Sequence, residues 1–185
     1  MTTRRCVVTG MGLVVMASAG TAQERAVQMG TKTSYAGYAV ATELVMPIDD
    51  QAKAGKTFEK AFDDLASMAE AEGFTLLGQA QIVMQSLTPP ADGRMPLQLQ
   101  LVIIEQPTEE DLKAEPGFKI VKLQGQKVAY TYHKGALDQI QMAMFGLVTW
   151  VTGNQIQIVG APWIIIHFTP EGDEPQVAEI QMPVK

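Results

Sequence analysis

The feature that most constrains this chain is a repeat. Phe58, Ala61, Phe62, Leu65, Met68 and Ala69 fall at i, i+3, i+4, i+7, i+10 and i+11, the apolar stripe of a helix packed on one side. Shifted by 82 residues, the same positions are Ile140, Ala143, Met144, Leu147, Trp150 and Val151. The match runs on past the helix. Phe74, Leu76, Leu77 and Gly78 become Ile156, Ile158, Val159 and Gly160, and Ile82-Val83-Met84 becomes Ile164-Ile165-Ile166. Two amphipathic helices resemble each other by chance; a helix, turn, glycine and strand in one register do so much less readily.

Each copy reads as β-α-β-β, which makes the chain an α+β protein. In the first copy, Ser34 to Val45 is strand-like, Pro47-Ile48-Asp49-Asp50 breaks it, and Gln51 to Lys56 is a polar connection. The helix is expected from Thr57, its other face carrying Glu59, Lys60, Asp63, Asp64 and Glu70, with Gly73 as its stop. In the second copy a strand at Val128–Tyr132 leads to a helix from about Leu137 to Val151, then strands at Ala161–Phe168 and Val177–Val184. Leu97 to Val102 is the first copy's counterpart of that last strand. The expected organisation is a signal peptide at 1–22 and a single domain at 23–185. Within it, repeat one is about 32–105, a Pro-bounded acidic linker 106–116, and repeat two about 120–184, with Gln23 to Thr31 as lead-in. Two such repeats are expected to form a pseudo-two-fold antiparallel sheet, helices on one side and a ligand cleft where the halves meet.

The start of the chain follows the plan of an export signal: basic Arg4-Arg5, an apolar run from Cys6 to Ala17, and small residues Ser18 to Ala22. The run is too short to span a bilayer. Thr3-Arg4-Arg5-Cys6-Val7-Val8 also loosely fits a twin-arginine signal. Cleavage near Ala22 leaves no cysteine, hence no disulfide, and places the product in the periplasm or outside the cell. It also takes the formal charge from −6 to −8, because Arg4 and Arg5 leave. A surface that acidic argues against nucleic acid, whose phosphates require Lys and Arg. No later stretch is apolar enough for a membrane span.

Val128-Ala129-Tyr130-Thr131-Tyr132-His133-Lys134-Gly135, the helix ending at Trp150, Gly160-Ala161-Pro162 and Ala178-Glu179-Ile180-Gln181-Met182-Pro183-Val184 resemble the GyrI-like, or bacterial transcription activator effector-binding, domain family. The resemblance covers essentially the mature chain and is strongest in the second repeat. It implies a cleft for hydrophobic, often cationic, small molecules, lined by aromatic side chains and faced by a glutamate on the last strand. Members act as drug sensors when fused to DNA-binding domains, and some stand-alone ones hydrolyse strained cyclopropane-containing toxins. The chain departs from the regulators in showing no helix-turn-helix pattern before the domain.

Strand alternation sets Glu179 and Gln181 on one face, opposite Ala178, Ile180, Met182 and Val184. A carboxylate facing a cleft attracts a cation; one on a strand edge is merely hydrated. Trp163 shares a face with Ile165 and His167 and could stack on a flat or cationic ligand, or be plain core. Tyr38, Tyr130 and Tyr132 are the remaining wall candidates, with core packing as the alternative for each. His133 and His167 are the only histidines and stand at no metal-ligand spacing, so neither a metal nor a cofactor is expected. Three functions compete. The first is a binding protein for small hydrophobic or cationic molecules. The second is a hydrolase using Glu179 as acid and base, and the third a protein-interaction module. Met142 and Phe145 lie off the helix stripe and are expected to be covered by the other repeat, the N-terminal segment or a second copy in a homodimer.

Overall fold

The computed structural model describes residues 28–47, 49–85, 90–109, 111–112, 118–134, 140–167 and 177–185. The expected signal peptide, part of the linker (110 and 113–116) and the loop before the last strand lie outside them. The elements run β1 (Met29–Thr33), β2 (Gly37–Pro47), α1 (Gln51–Ala71), β3 (Leu76–Met84), β4 (Arg94–Ile103), β5 (Lys119–Leu123), β6 (Lys127–Lys134), α2 (Ile140–Gly153), β7 (Trp163–His167) and β8 (Val177–Pro183). The β-α-β-β order is therefore present twice, as β2-α1-β3-β4 and β6-α2-β7-β8.

All eight strands join one sheet in the order β1-β6-β8-β7-β3-β4-β2-β5, and every pairing is antiparallel. The order is the same from either end. The halves meet where β3 pairs β7, and Ile82 stands opposite Ile164 there. These are equivalent residues of the two repeats, so a pseudo-two-fold axis passes between them.

Each helix covers its own half. Val40, Leu44, Leu99, Leu101 and Ile103 pack with Leu65 and Ala69 of α1, while Ile164, Ile166, Ile180 and Met182 pack with Leu147 and Val151 of α2. Phe58 and Ile82 touch both clusters, so the two helices share one side of the sheet and the cores are continuous. All six residues of each predicted stripe lie in its cluster.

Two elements start elsewhere than the sequence suggests. The polar connection Gln51–Lys56 is the beginning of α1. Asp50 accepts a hydrogen bond from the Lys53 backbone N–H at 3.0 Å and caps the helix there. The cap, at about 1 kcal/mol, offsets the similar cost of Gly55 inside the helix. The lead-in is not structureless either, because Met29–Thr33 is β1, hydrogen-bonded to β6. Its counterpart β5 pairs with β2.

These two short strands stay unpaired with each other at the edges, and the links beside them curl the open sheet. In the strand order β1 and β2 are six places apart, about 29 Å if the sheet were flat. Residues 34–36 alone connect them, and the four Cα steps from Thr33 to Gly37 reach only about 14 Å. Residues 124–126 impose the same limit between β5 and β6. The sheet must roll up. The two links cross on the side away from the helices and are tied together. The Ser34 N–H donates to the Gln126 carbonyl at 2.8 Å, and the Gln126 N–H donates to the Ser34 Oγ at 3.1 Å.

Met142 and Phe145 are 77% and 72% exposed, so the other repeat does not cover them. Their place on α2 turns away from the sheet, beyond the reach of β6 and β8. Among the described residues no helix is long and apolar enough to cross a membrane.

Candidate functional site

The rolled face holds a cleft of about 330 Å³. Its floor is the middle of the sheet: Gln81 and Val83 on β3, Gln100 on β4, Trp163 on β7 and Gln181 on β8. Its roof is the pair of links, with Ser34 and Tyr35 from one and residues 124–126 from the other. The cleft therefore sits at the pseudo-two-fold axis, between the repeats. Strand alternation explains the lining. Residues of β4 and β8 at odd positions along the apolar pattern point away from the helices, and the sequence places polar side chains there: the amides of Gln98, Gln100 and Gln181 and the carboxylate of Glu179.

Register makes these pairs equivalent. Gln81 stands opposite Gln100, and its counterpart Trp163 stands opposite Gln181. Likewise Val83 faces Gln98 while Ile165 faces Glu179. On the outer side, Ala41 and Glu43 oppose Gln100 and Gln98, whereas Tyr130 and Tyr132 oppose Gln181 and Glu179. The second half thus carries an acid and two tyrosines where the first carries an amide, an alanine and an acid.

Glu179 is 4% exposed and fully engaged. Its Oε1 accepts from Lys32 Nζ at 2.5 Å and from Gln181 Nε2 at 2.7 Å. Lys32 reaches in from β1, with its ammonium 5.0 Å from the Tyr130 ring centre and 6.0 Å from that of Tyr132. The two rings meet edge to face at 5.6 Å. An acid, two aromatic faces and a cation among them form a satisfied set. Burial, and then the Glu179 carboxylate, pushes the Tyr132 phenol above its ordinary range, while Lys32 pulls it back.

The amides are not all satisfied. Gln181 and Gln100 are 2% and 7% exposed. Gln100 Nε2 donates to Gln98 Oε1 at 2.6 Å, as Gln181 Nε2 does to Glu179. Among the described residues the carbonyl oxygens of both, Gln100 Oε1 and Gln181 Oε1, have no hydrogen-bond partner.

Of the residues expected at the site, Trp163 lines the cleft. Glu179 lies one hydrogen bond behind its wall, and Tyr130 and Tyr132 flank Glu179. His167 is on the same sheet face at the far end of β7, opposite Val177. Tyr38 is not brought to the cleft. It stands opposite Ile103 and packs against the core under α1, because even one residue of offset along β2 reverses its face. Lys32, Tyr35, Gln81 and Gln100 are the participants that sequence reasoning missed. The alternation of Gln98 and Gln100 within an apolar strand was a readable signal. For Lys32 and Tyr35 there was none, since both belong to the segment that only the curled sheet brings to the site.

Fold and cleft together define the class: the chain has the GyrI-like effector-binding fold. Solved structures similar to it include the EcmrR C-terminal domain, with a TM-score of 0.70 and 17% identity over 86% of this chain and 98% of that one. It also covers 57% of the EcmrR chain in a complex with DNA, at a TM-score of 0.69 and 14% identity. SAV2435 bound to tetraphenylphosphonium matches at a TM-score of 0.50 and 16% identity, over 85% of this chain and 94% of that one. A hydrolase from Listeria innocua matches at 0.55 and 11%, over 85% and 92%. No protein-family model and no curated relative matches the sequence.

Proposed function

We propose that the chain binds a small molecule in the cleft between its repeats. The observation that carries this is the roofed space at the pseudo-two-fold axis, floored by Trp163 and by two buried amides with unspent acceptors. A structure of the same fold supports it: SAV2435 holds tetraphenylphosphonium. A lipophilic ligand would stack on Trp163, with Glu179, Tyr130 and Tyr132 at the side as the acidic, aromatic part of the wall. The test is quenching of Trp163 fluorescence by tetraphenylphosphonium and by neutral aromatic molecules, with Trp150→Phe as background to isolate the signal. Saturable quenching of Trp163 that is lost in Gln181→Leu, with binding to Trp163→Leu also lost by calorimetry, supports the site. Saturable binding that persists in Trp163→Leu and in Gln181→Leu places the ligand elsewhere.

The hydrolase reading shares the fold with the Listeria protein. For it, Glu179 must move a proton, yet its carboxylate already serves Lys32 and Gln181. Binding is therefore the better reading, and turnover of strained electrophiles followed by mass spectrometry decides between them. The proposal includes export through residues 1–22, which N-terminal sequencing of the periplasmic fraction checks: finding Met1 or Thr2 there sinks it. It also includes a homodimer through the exposed Met142 and Phe145.

A further inference from the structure

The cleft's charge chemistry differs from what an acidic, aromatic site suggests. Glu179 is buried, but its charge is already answered by the chain's own cation. Lys32 lies where a cationic ligand would lie, paired to the carboxylate and set beside two tyrosine rings. It is tethered on β1, so it competes at the high effective concentration of an intramolecular group. An incoming cation must displace it and gains only the difference between two similar ion pairs. No carboxylate lines the cleft itself; its one formally charged residue among those described is Lys122.

What the cleft does offer is acceptors. Gln181 has its amide fixed in orientation, because a carboxylate can only accept and so Nε2 must face Glu179. Its Oε1 is thereby turned away, buried and without a partner. Gln100, its equivalent across the two-fold axis, has the same bond along its own strand and the same unpartnered oxygen. Buried polar atoms in folded proteins are nearly always paired, so two such oxygens on side chains that line one cleft point to donors supplied from outside the chain.

We propose that the cleft takes an uncharged molecule bearing N–H or O–H donors, held by the amide oxygens of Gln100 and Gln181, and that Lys32 sets this preference by serving as the resident cation of Glu179. This rests on the small-molecule reading above and narrows it. Lys32 is a specificity-determining residue, and the lipophilic cation is the ligand it excludes.

Calorimetry with three probes tests it. Diphenylurea is neutral with two N–H donors; its N,N′-dimethyl derivative has none; benzyltrimethylammonium is a permanent cation without a donor. The wild-type chain is expected to bind diphenylurea at least tenfold more tightly than either of the others. Lys32→Met should raise affinity for the cation at least tenfold and leave the urea within threefold. Gln181→Leu should remove the urea's advantage over its dimethyl derivative. Should Lys32→Met not fold, Lys32→Gln takes its place, with circular dichroism as the check on either. A wild type that prefers the cation overturns the proposal, and so does a cation affinity unchanged by removing Lys32. Those results leave small-molecule binding standing. If no probe binds wild type or variant, with a wider set of neutral donors equally silent, the binding reading itself fails and takes this proposal with it.

Discussion

At the scale of single residues, the site depends on which groups satisfy one another. Lys32 is about a third exposed while Glu179 is almost wholly buried, so removing the lysine leaves a buried charge behind. Lys32→Met is expected to lower stability by about 1–3 kcal/mol, less than for a fully buried pair because water reaches the lysine. Denaturant unfolding measures this, and adding Glu179→Gln to the same chain should recover part of the loss. Tyr132 gives an optical readout. Its pKa lies above the ordinary tyrosine value of 10.0, chiefly through burial and then through Glu179. A raised pKa favours the neutral phenol in the folded state. The associated stability is present below the ordinary value and is lost as pH climbs through the raised one. Absorbance titration of wild type minus Tyr132→Phe should place the midpoint above 10. Lys32→Met should move it higher, since Lys32 is the group that lowers it. A midpoint that falls in Lys32→Met would contradict the arrangement of the three side chains.

At the scale of elements, the two helices carry the two halves of the core and differ in what else they show. Leu65 on α1 and Leu147 on α2 are completely buried, so either leucine changed to alanine should cost about 2–5 kcal/mol. The helix start is open to a similar check: Asp50→Ala should cost about 1 kcal/mol through loss of the cap. On α2 the exposed Met142 and Phe145 add a different expectation. If they pair two copies, changing both to Gln lowers the sedimentation coefficient to that of a monomer without lowering the melting temperature of the monomer. An unchanged coefficient removes the dimer from the proposal. The shared glycine shows how far pattern reaches at this scale. Gly78 has φ of 72° at the bulge of β3, where the β4 register shifts between Leu76 and Ala80. Its counterpart Gly160 is needed for another reason, because a Cβ there would meet Pro183 at 3.0 Å. The repeat placed both glycines correctly, and only the structure separates their causes.

At the scale of the whole molecule, curling of the sheet makes the cleft, and β1 is central to it. It covers the outer edge of β6, supplies Lys32 and leads into one of the two links that roof the space. Removing the chain through Thr33 should therefore speed amide exchange along Val128–Thr131 and abolish saturable binding together. Loss of binding without faster exchange would show that β1 acts through the link it leads into, with Ser34 and Tyr35, rather than by holding β6. The amino-acid sequence by itself determined the duplication, the class of fold and both helix stripes. Those depend on local periodicity, and apolar residues at helical spacing must be buried wherever the helix goes. It also determined that Glu179 and Gln181 share a face, because alternation is a property of any strand. Three things were decided by tertiary structure alone: that short β1 and β5 cross over to pair with the opposite repeat, that Tyr38 faces a helix, and that Lys32 meets Glu179. The physical reason is the same each time. Pairing between strands far apart in the chain is set by the shape of the whole sheet, and residues 32 and 179 carry no mark of each other until that sheet has curled.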